Sequence, residues 1–209
     1  MRRRKSEAFD SRQRVFDAAA AEFARCGYAG ANVDRIARAA RLNKAMIYYH
    51  FKSKAALYRE ILRDMFAAVA ARVAAVEASE AEPADKVRAF VEAIATAAEA
   101  RPHFPPIWFR EIAEGGAHLD AGTLAHVTAV VKTLGRIVQE GHSRGRFERT
   151  NPMLIHAGII GPLLLYFASG PMRKRLASAG VPGVAALSRD TVVAHVQRVA
   201  VTALQGHGA

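Results

Sequence analysis

The chain of 209 residues contains one cysteine, so several kinds of protein are excluded at the start. With Cys26 alone, no disulfide can form within the chain and no cluster of cysteines can bind a metal. We expect Cys26 to be a small buried side chain and not a redox sensor. The sequence also lacks an HExxH motif, a GxSxG motif and a glycine-rich phosphate loop, and none of its eight histidines pairs with another four residues away. The sequence therefore predicts no enzyme, no cofactor and no metal site.

Charge is missing from one long stretch. Residues 151–172 contain no Lys, Arg, Asp or Glu, which meets the length test for a membrane span. Pro162, two glycines and the break at Ser169-Gly170-Pro171 leave an apolar helix of only about 16 residues, which favours a buried core or interface helix over a membrane helix. The N-terminus has charges but no apolar segment before a cleavage site, so we expect a cytoplasmic protein with no membrane partner.

Positive charge is concentrated at one end. The chain has a net charge of +11, and residues 1–64 account for +8 of it. A basic excess of this kind is what attraction to nucleic-acid phosphates requires. The opening residues Arg2, Arg3, Arg4 and Lys5 are interpreted as a flexible arm, either solvated or following a DNA backbone.

The N-terminal quarter of the sequence has the pattern of three short amphipathic helices followed by the start of a fourth. The first has an apolar face formed by Phe16, Ala19, Ala20 and Phe23. Gly27 ends this helix, and Asn32 and Asn43 occupy the N-cap positions of the second and third. In the short third helix only Ile47 and Phe51 must face inward. This tandem is a helix-turn-helix arrangement, whose second helix enters the major groove of DNA.

The segment NVDRIARAARLNKAMIYYHFKSKAALY, which begins at Asn32, resembles the signature of the TetR family of transcriptional regulators. The matching positions are Val33, Asp34, Ile36, Ala37, Ala40, Ile47, Tyr48, His50, Phe51, Lys54 and Leu57, preceded by Gly27 and Tyr28. Arg41 replaces the usual glycine of the turn, where a left-handed conformation carries a cost. The resemblance covers about the first 65 residues. It implies an all-α protein with a helix-turn-helix head and a larger helical domain for ligand binding and dimerisation.

The resemblance also implies the DNA contacts. It makes Tyr48, His50 and Lys54 contacts to phosphate or sugar, although packing of Tyr48 against the core of the head is an equally good interpretation. The groove-reading residues are Lys44, Ala45, Met46 and Tyr49. With the two caps, the predicted DNA-binding set is Asn32, Asn43, Lys44, Ala45, Met46, Tyr48, Tyr49, His50 and Lys54.

The remainder of the sequence is helical in pattern. The predicted helices cover residues 54–78, 83–100, 105–114, 120–143, 152–168 and 188–205, and residues 170–187 are expected to be a loop with one turn of helix. We expect a DNA-binding domain at residues 1–53 and a second domain at 54–209, with the fourth helix as their joint.

Aromatic and polar residues are densest between His103 and His118. They suit either a helix with an apolar inner face or an apolar pocket with a few orienting polar groups, and the resemblance adds that the middle helices enclose an effector site. The predicted ligand-binding residues are Phe104, Trp108, Phe109, Glu111, His118, Met153, His156 and Phe167.

The two C-terminal helices have wide apolar faces. The resemblance implies that they pair with those of a second subunit in a four-helix bundle, whereas the alternative is that both faces belong to the internal core. The predicted interface residues are Ile155, Ile159, Leu163, Val192, Val196, Val199 and Ala203.

Two classes of function follow. The first is a homodimeric regulator that binds a palindromic double-stranded DNA operator and is released by a small apolar or aromatic molecule, with a ligand-independent or activating regulator as a variant. The second is a helical ligand-binding or enzymatic protein that uses its basic head for non-specific DNA contacts.

Overall fold

The computed structural model describes residues 2–206, with side chains from residue 9 onward, and all regular secondary structure in this part of the chain is helical. The helices are α1 (Arg2–Gly30), α2 (Val33–Ala40), α3 (Lys44–Phe51), α4 (Lys54–Glu77), α5 (Pro83–Ala100), α6 (Phe104–Ala113), α7 (Ala121–Ser143), α8 (Pro152–Ala168), α9 (Gly170–Ser178) and α10 (Arg189–Gln205). The all-α class predicted from the sequence is confirmed.

Helices α1 and α9 differ from prediction. Helix α1 begins at Arg2, so the backbone of residues 2–5 is helical where an arm was predicted. The Arg and Lys residues there are good helix formers, which lets α1 continue. The side chains of residues 2–5 lie outside the described part of the structure, so their contact with DNA stays a prediction. Helix α9 is also longer than the single turn expected, because Pro171 in its first turn suits the start of a helix.

The apolar stretch of residues 151–172 forms α8 and the beginning of α9. Within residues 2–206 no single helix meets the length and hydropathy criteria for crossing a membrane, and α8 with α9 meets them only as a pair bent by 67°.

The backbone of the first three helices changes direction sharply at a kink within α1 and at the turn between α2 and α3. Gly27 has a φ of 71° and kinks α1, where the sequence predicted the end of the helix, and α1 continues beyond the kink to Gly30. Between α2 and α3, Arg41 has a φ of 55° and ψ of 43°, so the turn takes the left-handed conformation although the residue has a side chain. Arg14 holds this turn against α1, since its guanidinium donates to the Ala40 carbonyl and, at 3.2 Å, to the Arg41 carbonyl.

One hydrophobic core continues through the described chain, from Val15 in α1 to Leu204 in α10. Helix α4 runs through it: Leu57 and Tyr58 are buried near its N-terminal end and Val69 and Val73 near its C-terminal end. Its contacts with α1 on one side and with α5 and α7 on the other make it the connection between the first three helices and the remainder. A domain boundary at residue 53 stays a prediction.

Candidate functional site

Helix α3 presents most of one face to solvent. Ile47 and Phe51 anchor it, being 0% and 3% exposed. On the other side Tyr49 is 75% exposed, and Lys44 and Ala45 are also exposed. A helix held by two inward side chains, with its aromatic and basic residues outward, has the form of a groove-reading helix.

The two predicted caps are confirmed. Asn43 accepts a hydrogen bond of 3.0 Å from the Met46 amide, and Asn32 accepts one of 2.7 Å from the Asp34 amide. These bonds satisfy amides that have no partner within their own helices. In the free protein both asparagines thus fix the starts of α2 and α3, and their contact with DNA stays a prediction.

Lys44 lies at the start of α3 and forms an exposed ion pair with Asp34, at 3.0 Å. The hydrogen bond with Asp34 raises the pKa of Lys44. Exposed ion pairs contribute little to stability, so Lys44 can exchange this partner for an acceptor on DNA at small cost.

Other predicted DNA contacts already have partners inside the protein. His50 Nε2 lies 2.8 Å from Ser11 Oγ in α1, and burial, with the charge of Arg12, lowers the pKa of His50. Lys54 Nζ donates to the carbonyls of Tyr28 at 2.9 Å and Ala31 at 3.1 Å. Tyr48 is exposed and Met46 is half-buried. His50 and Lys54 therefore tie α3 and the start of α4 to α1 in the free protein.

A small apolar cavity lies among α4, α5, α6, α7 and α8. Its volume is about 40 Å³, and it is lined by Phe66, Val69, Ile94, Phe104, Trp108, Val127, Val130, His156, Ile160 and Leu164. Phe104, Trp108 and His156 are thus brought together as predicted. Trp108 packs edge-on against Phe66 with ring centroids 4.6 Å apart. Ligand pockets are usually several hundred Å³, so a ligand here requires these helices to separate.

The other predicted ligand residues do not line this cavity. Phe109 and Met153 lie on the surface, because Phe109 is turned about 100° along its helix from Trp108 and Met153 about 200° from the buried Ile155. Phe167 packs against the core elsewhere. Glu111 and His118 belong to a separate polar cluster.

That cluster is centred on Glu111, which is completely buried. Glu111 Oε1 accepts a hydrogen bond of 2.8 Å from the Tyr58 hydroxyl in α4 and lies 2.8 Å from His118 Nδ1. The His118 ring in turn lies 4.2 Å, centroid to centroid, from the ring of Tyr28, which follows the Gly27 kink. Glu111 thus links α6 both to α4 and, through His118, to the end of α1.

Arg110 makes a second connection between α6 and α1. Its Nη2 donates to the Arg25 carbonyl at 3.3 Å, and its side chain packs on Gly27, where an added Cβ would lie 3.3 Å from Arg110 Cδ. The sequence did not predict the roles of Arg110 and Tyr58. Tyr58 lies 53 positions before Glu111, and Arg110 lies 85 positions after Arg25. Local sequence patterns carry no signal for contacts over such separations.

The N-terminal helices match a known family. Residues 15–61 match the model described as "Bacterial regulatory proteins, tetR family". The HTH-type transcriptional repressor SCO4008 of Streptomyces coelicolor is 50% identical over 52 residues, which are 25% of this chain and 27% of that protein. The HTH-type transcriptional repressor NicS of Pseudomonas putida is 27% identical over 166 residues, 78% of each chain. The N-terminal helices of the chain thus resemble those of the TetR family of transcriptional regulators.

Solved structures extend the likeness in fold to the C-terminal helices of this chain. The TetR family regulator PfmR from Thermus thermophilus superposes with a TM-score of 0.71 at 20% identity, covering 90% of this chain and 96% of PfmR. HlyIIR, a hemolysin II transcriptional regulator, gives a TM-score of 0.67 at 19% identity, covering 96% of this chain and 99% of HlyIIR. A helix-turn-helix head followed by a larger helical region is therefore the shared fold.

The C-terminal helices require a correction to the predicted interface. Ile155, Ile159, Leu163 and Val196 are buried within the chain itself, so they are core residues. The helical periodicity identified both apolar faces but not which of them the chain's own core covers. Val192 is half-buried, and Val199 and Ala203 remain exposed. The outward faces of α8 and α10 instead include Leu154, Gly158, Gly161, Leu165, Val199 and Ala203.

Proposed function

We propose that this protein is a DNA-binding transcriptional repressor of the TetR family that acts in the cytoplasm and is released from DNA by a small apolar molecule. The observation that carries the proposal is the exposed face of α3, where Lys44, Ala45 and Tyr49 project from a helix anchored by Ile47 and Phe51. The excess of positive charge in residues 1–64 supports it, because phosphate contacts supply most of the affinity for DNA.

We further propose that the protein binds as a homodimer to an approximate palindrome. One reading helix of eight residues offers few contacts, and a two-fold dimer supplies a second half-site. The outward face of α8 supports this, since Leu154 and Leu165 are largely exposed and the positions of Gly158 and Gly161 have open space beside them. Exposed apolar side chains next to glycines allow two helices to approach closely.

The proposed effector is an apolar or aromatic molecule with one polar group. The cavity beside Trp108 is lined almost entirely by apolar side chains. Burial lowers the pKa of His156, so its imidazole is uncharged near neutral pH. Within the described part of the chain the His156 ring has no hydrogen-bond partner, so a ring nitrogen is available to a polar group of the ligand.

Helix α6 connects this cavity with the helices that contact α3. Phe104 and Trp108 line the cavity, while Arg110 and Glu111 on the same helix contact α1 and α4. In this proposal a ligand widens the cavity by displacing α6, and the displacement reaches α1 and α4, which both contact α3. The ligand and the DNA then favour two different conformers of the protein. Each weakens the binding of the other by the same factor, which is set by their differential affinities for the two conformers.

The testing experiment is a binding assay on DNA from the region upstream of the protein's own gene. We expect salt-dependent binding to a palindromic segment and release by some members of a panel of apolar and aromatic compounds. Trp108 is the only tryptophan, so its emission reports on the cavity. Compounds that release DNA should change this emission, and the Trp108→Ala variant should need a higher concentration for release. Release without an emission change, and with Trp108→Ala behaving as wild type, would place the effector elsewhere.

A further inference from the structure

Two carboxylates and one imidazole converge at the turn that follows α6. Glu111 Oε1 lies 2.8 Å and Glu114 Oε2 lies 3.5 Å from the same atom, His118 Nδ1. Gly115 and Gly116, with φ of 69° and 75°, reverse the chain and bring His118 back to the two glutamates. The possible ligand atoms of the three residues all lie within 4.8 Å of one another.

The charges in this cluster do not balance. Among the described residues, neither Glu111 nor Glu114 has a Lys or Arg partner, and His118 is the only basic group paired with either. Glu111 is completely buried, and its partners are the Tyr58 hydroxyl and the ring and backbone amide of His118. Buried charges in proteins are generally paired or coordinate a metal ion. A divalent cation would supply the positive charge that no Lys or Arg ion pair supplies to either carboxylate in the described part of the chain.

We propose that Glu111, Glu114 and His118 bind a divalent transition-metal ion, with Zn²⁺ as the preferred ion. Imidazole nitrogen and carboxylate oxygen are ordinary zinc ligands, whereas Mg²⁺ and Ca²⁺ favour oxygen ligands alone. Two ligand atoms that each lie about 2.1 Å from a tetrahedral Zn²⁺ are about 3.4 Å apart, so small adjustments of the observed separations suffice.

Room for a fourth ligand is present beside His118. A solvent-accessible cavity of about 130 Å³ is lined by Ala55, Arg59, Ala117, His118, Leu119 and Asp120. It is wide enough to hold water next to His118. This site is separate from the apolar cavity at Trp108, which has a different set of lining residues. Its position against Tyr28 places the metal at the contact between α1 and the α6–α7 turn.

The test is a Zn²⁺ titration of the tag-free full chain in competition with a chromophoric chelator. We expect one Zn²⁺ per chain with a dissociation constant in the micromolar range or below. Glu114→Gln and His118→Gln should each weaken binding at least about tenfold, since each removes one of three ligands. Glu114 is exposed, so its variant should fold, which circular dichroism can verify.

His126→Gln is the matched control, because His126 is a half-buried histidine in α7 that lies outside the cluster. It should bind Zn²⁺ as the wild type does. The proposal is overturned if the wild-type chain takes up no Zn²⁺, if Glu114→Gln and His118→Gln bind as tightly as wild type, or if His126→Gln loses as much affinity as they do.

Discussion

The Tyr58 hydroxyl donates a 2.8 Å hydrogen bond to Glu111 Oε1, and both side chains are buried. Burial and the Glu111 carboxylate raise the pKa of Tyr58, so the hydroxyl stays protonated and acts as a donor throughout the accessible pH range. This bond joins α4 to α6 at the level where α1 also packs, and it is a rigid link between the apolar cavity and the reading helices.

Tyr58→Phe should weaken that link while keeping the ring. Removing the donor leaves the buried Glu111 carboxylate with one partner fewer, at an expected cost of about 1–3 kcal/mol of unfolding free energy. Denaturant unfolding measures it. Tyr28→Phe is the control, because the Tyr28 ring packs nearby and its hydroxyl has no hydrogen bond in the described structure. Equal stabilities of the two variants would argue against the link.

The sequence predicted well what neighbouring residues determine. The helix ranges, the caps Asn32 and Asn43 and the inward positions of Ile47 and Phe51 all depend on helical periodicity and on amides within a few residues. It failed where tertiary packing decides. Val196 and Val199 both belong to an apolar stripe of α10, yet Val196 is 1% exposed and Val199 is 47% exposed.

The same distinction explains the partial success at the candidate site. The local pattern gave no sign that Lys54 donates to carbonyls 23 and 26 residues earlier in the chain. The local pattern correctly placed Glu111 on the inner face of α6. For that reason Glu111 was expected to line the ligand pocket. Glu111, however, lies one turn beyond the residues of α6 that line the apolar cavity, and it contacts Tyr58 and His118 instead.

Lys54→Ala tests whether this residue contacts DNA as well as α1. Loss of a phosphate contact should weaken binding similarly on all DNA sequences and flatten the salt slope by about one unit per subunit. Loss of the bonds to Tyr28 and Ala31 should also lower the unfolding free energy by about 1 kcal/mol. Lys132→Ala, an exposed change in α7, serves as control. A less stable Lys54→Ala protein with an unaltered salt slope would make Lys54 purely structural.

Val199→Asp tests the proposed dimer. Val199 is half-exposed on the outward face of α10, so Asp should leave the folding of one chain intact but bury a charge in a dimer interface, at a cost of several kcal/mol. We expect sedimentation velocity to show a dimer for the wild type and a monomer for the variant at micromolar concentration. Val199→Thr, nearly the same in size, should stay dimeric. A monomeric wild type contradicts the proposal directly.

Arg41→Gly should stabilise the protein. Arg41 adopts the left-handed conformation, which costs a residue with a Cβ about 1 kcal/mol relative to glycine. The Arg41 carbonyl, which accepts from Arg14, is retained. We expect a higher urea midpoint for Arg41→Gly but no increase for Arg41→Ala, because alanine removes the side chain and keeps the Cβ. A gain of equal size in both variants would show that the arginine side chain, and not the backbone conformation, is unfavourable.

Glu22 should make the stability of the helix-turn-helix region depend on pH. Burial raises the pKa of Glu22, but hydrogen bonds from Arg25, Arg35 and the Asn32 amide outweigh it and lower the pKa from 4.5 to about 2. Because the folded value lies below the unfolded one, the contribution is present above pH 4.5 and is lost as the pH falls towards 2. Glu22→Gln should therefore reduce the unfolding free energy at pH 7 by more than at about pH 3. An equal reduction at both pH values would mean that the ionised carboxylate is not what holds Arg35 and Asn32 in place.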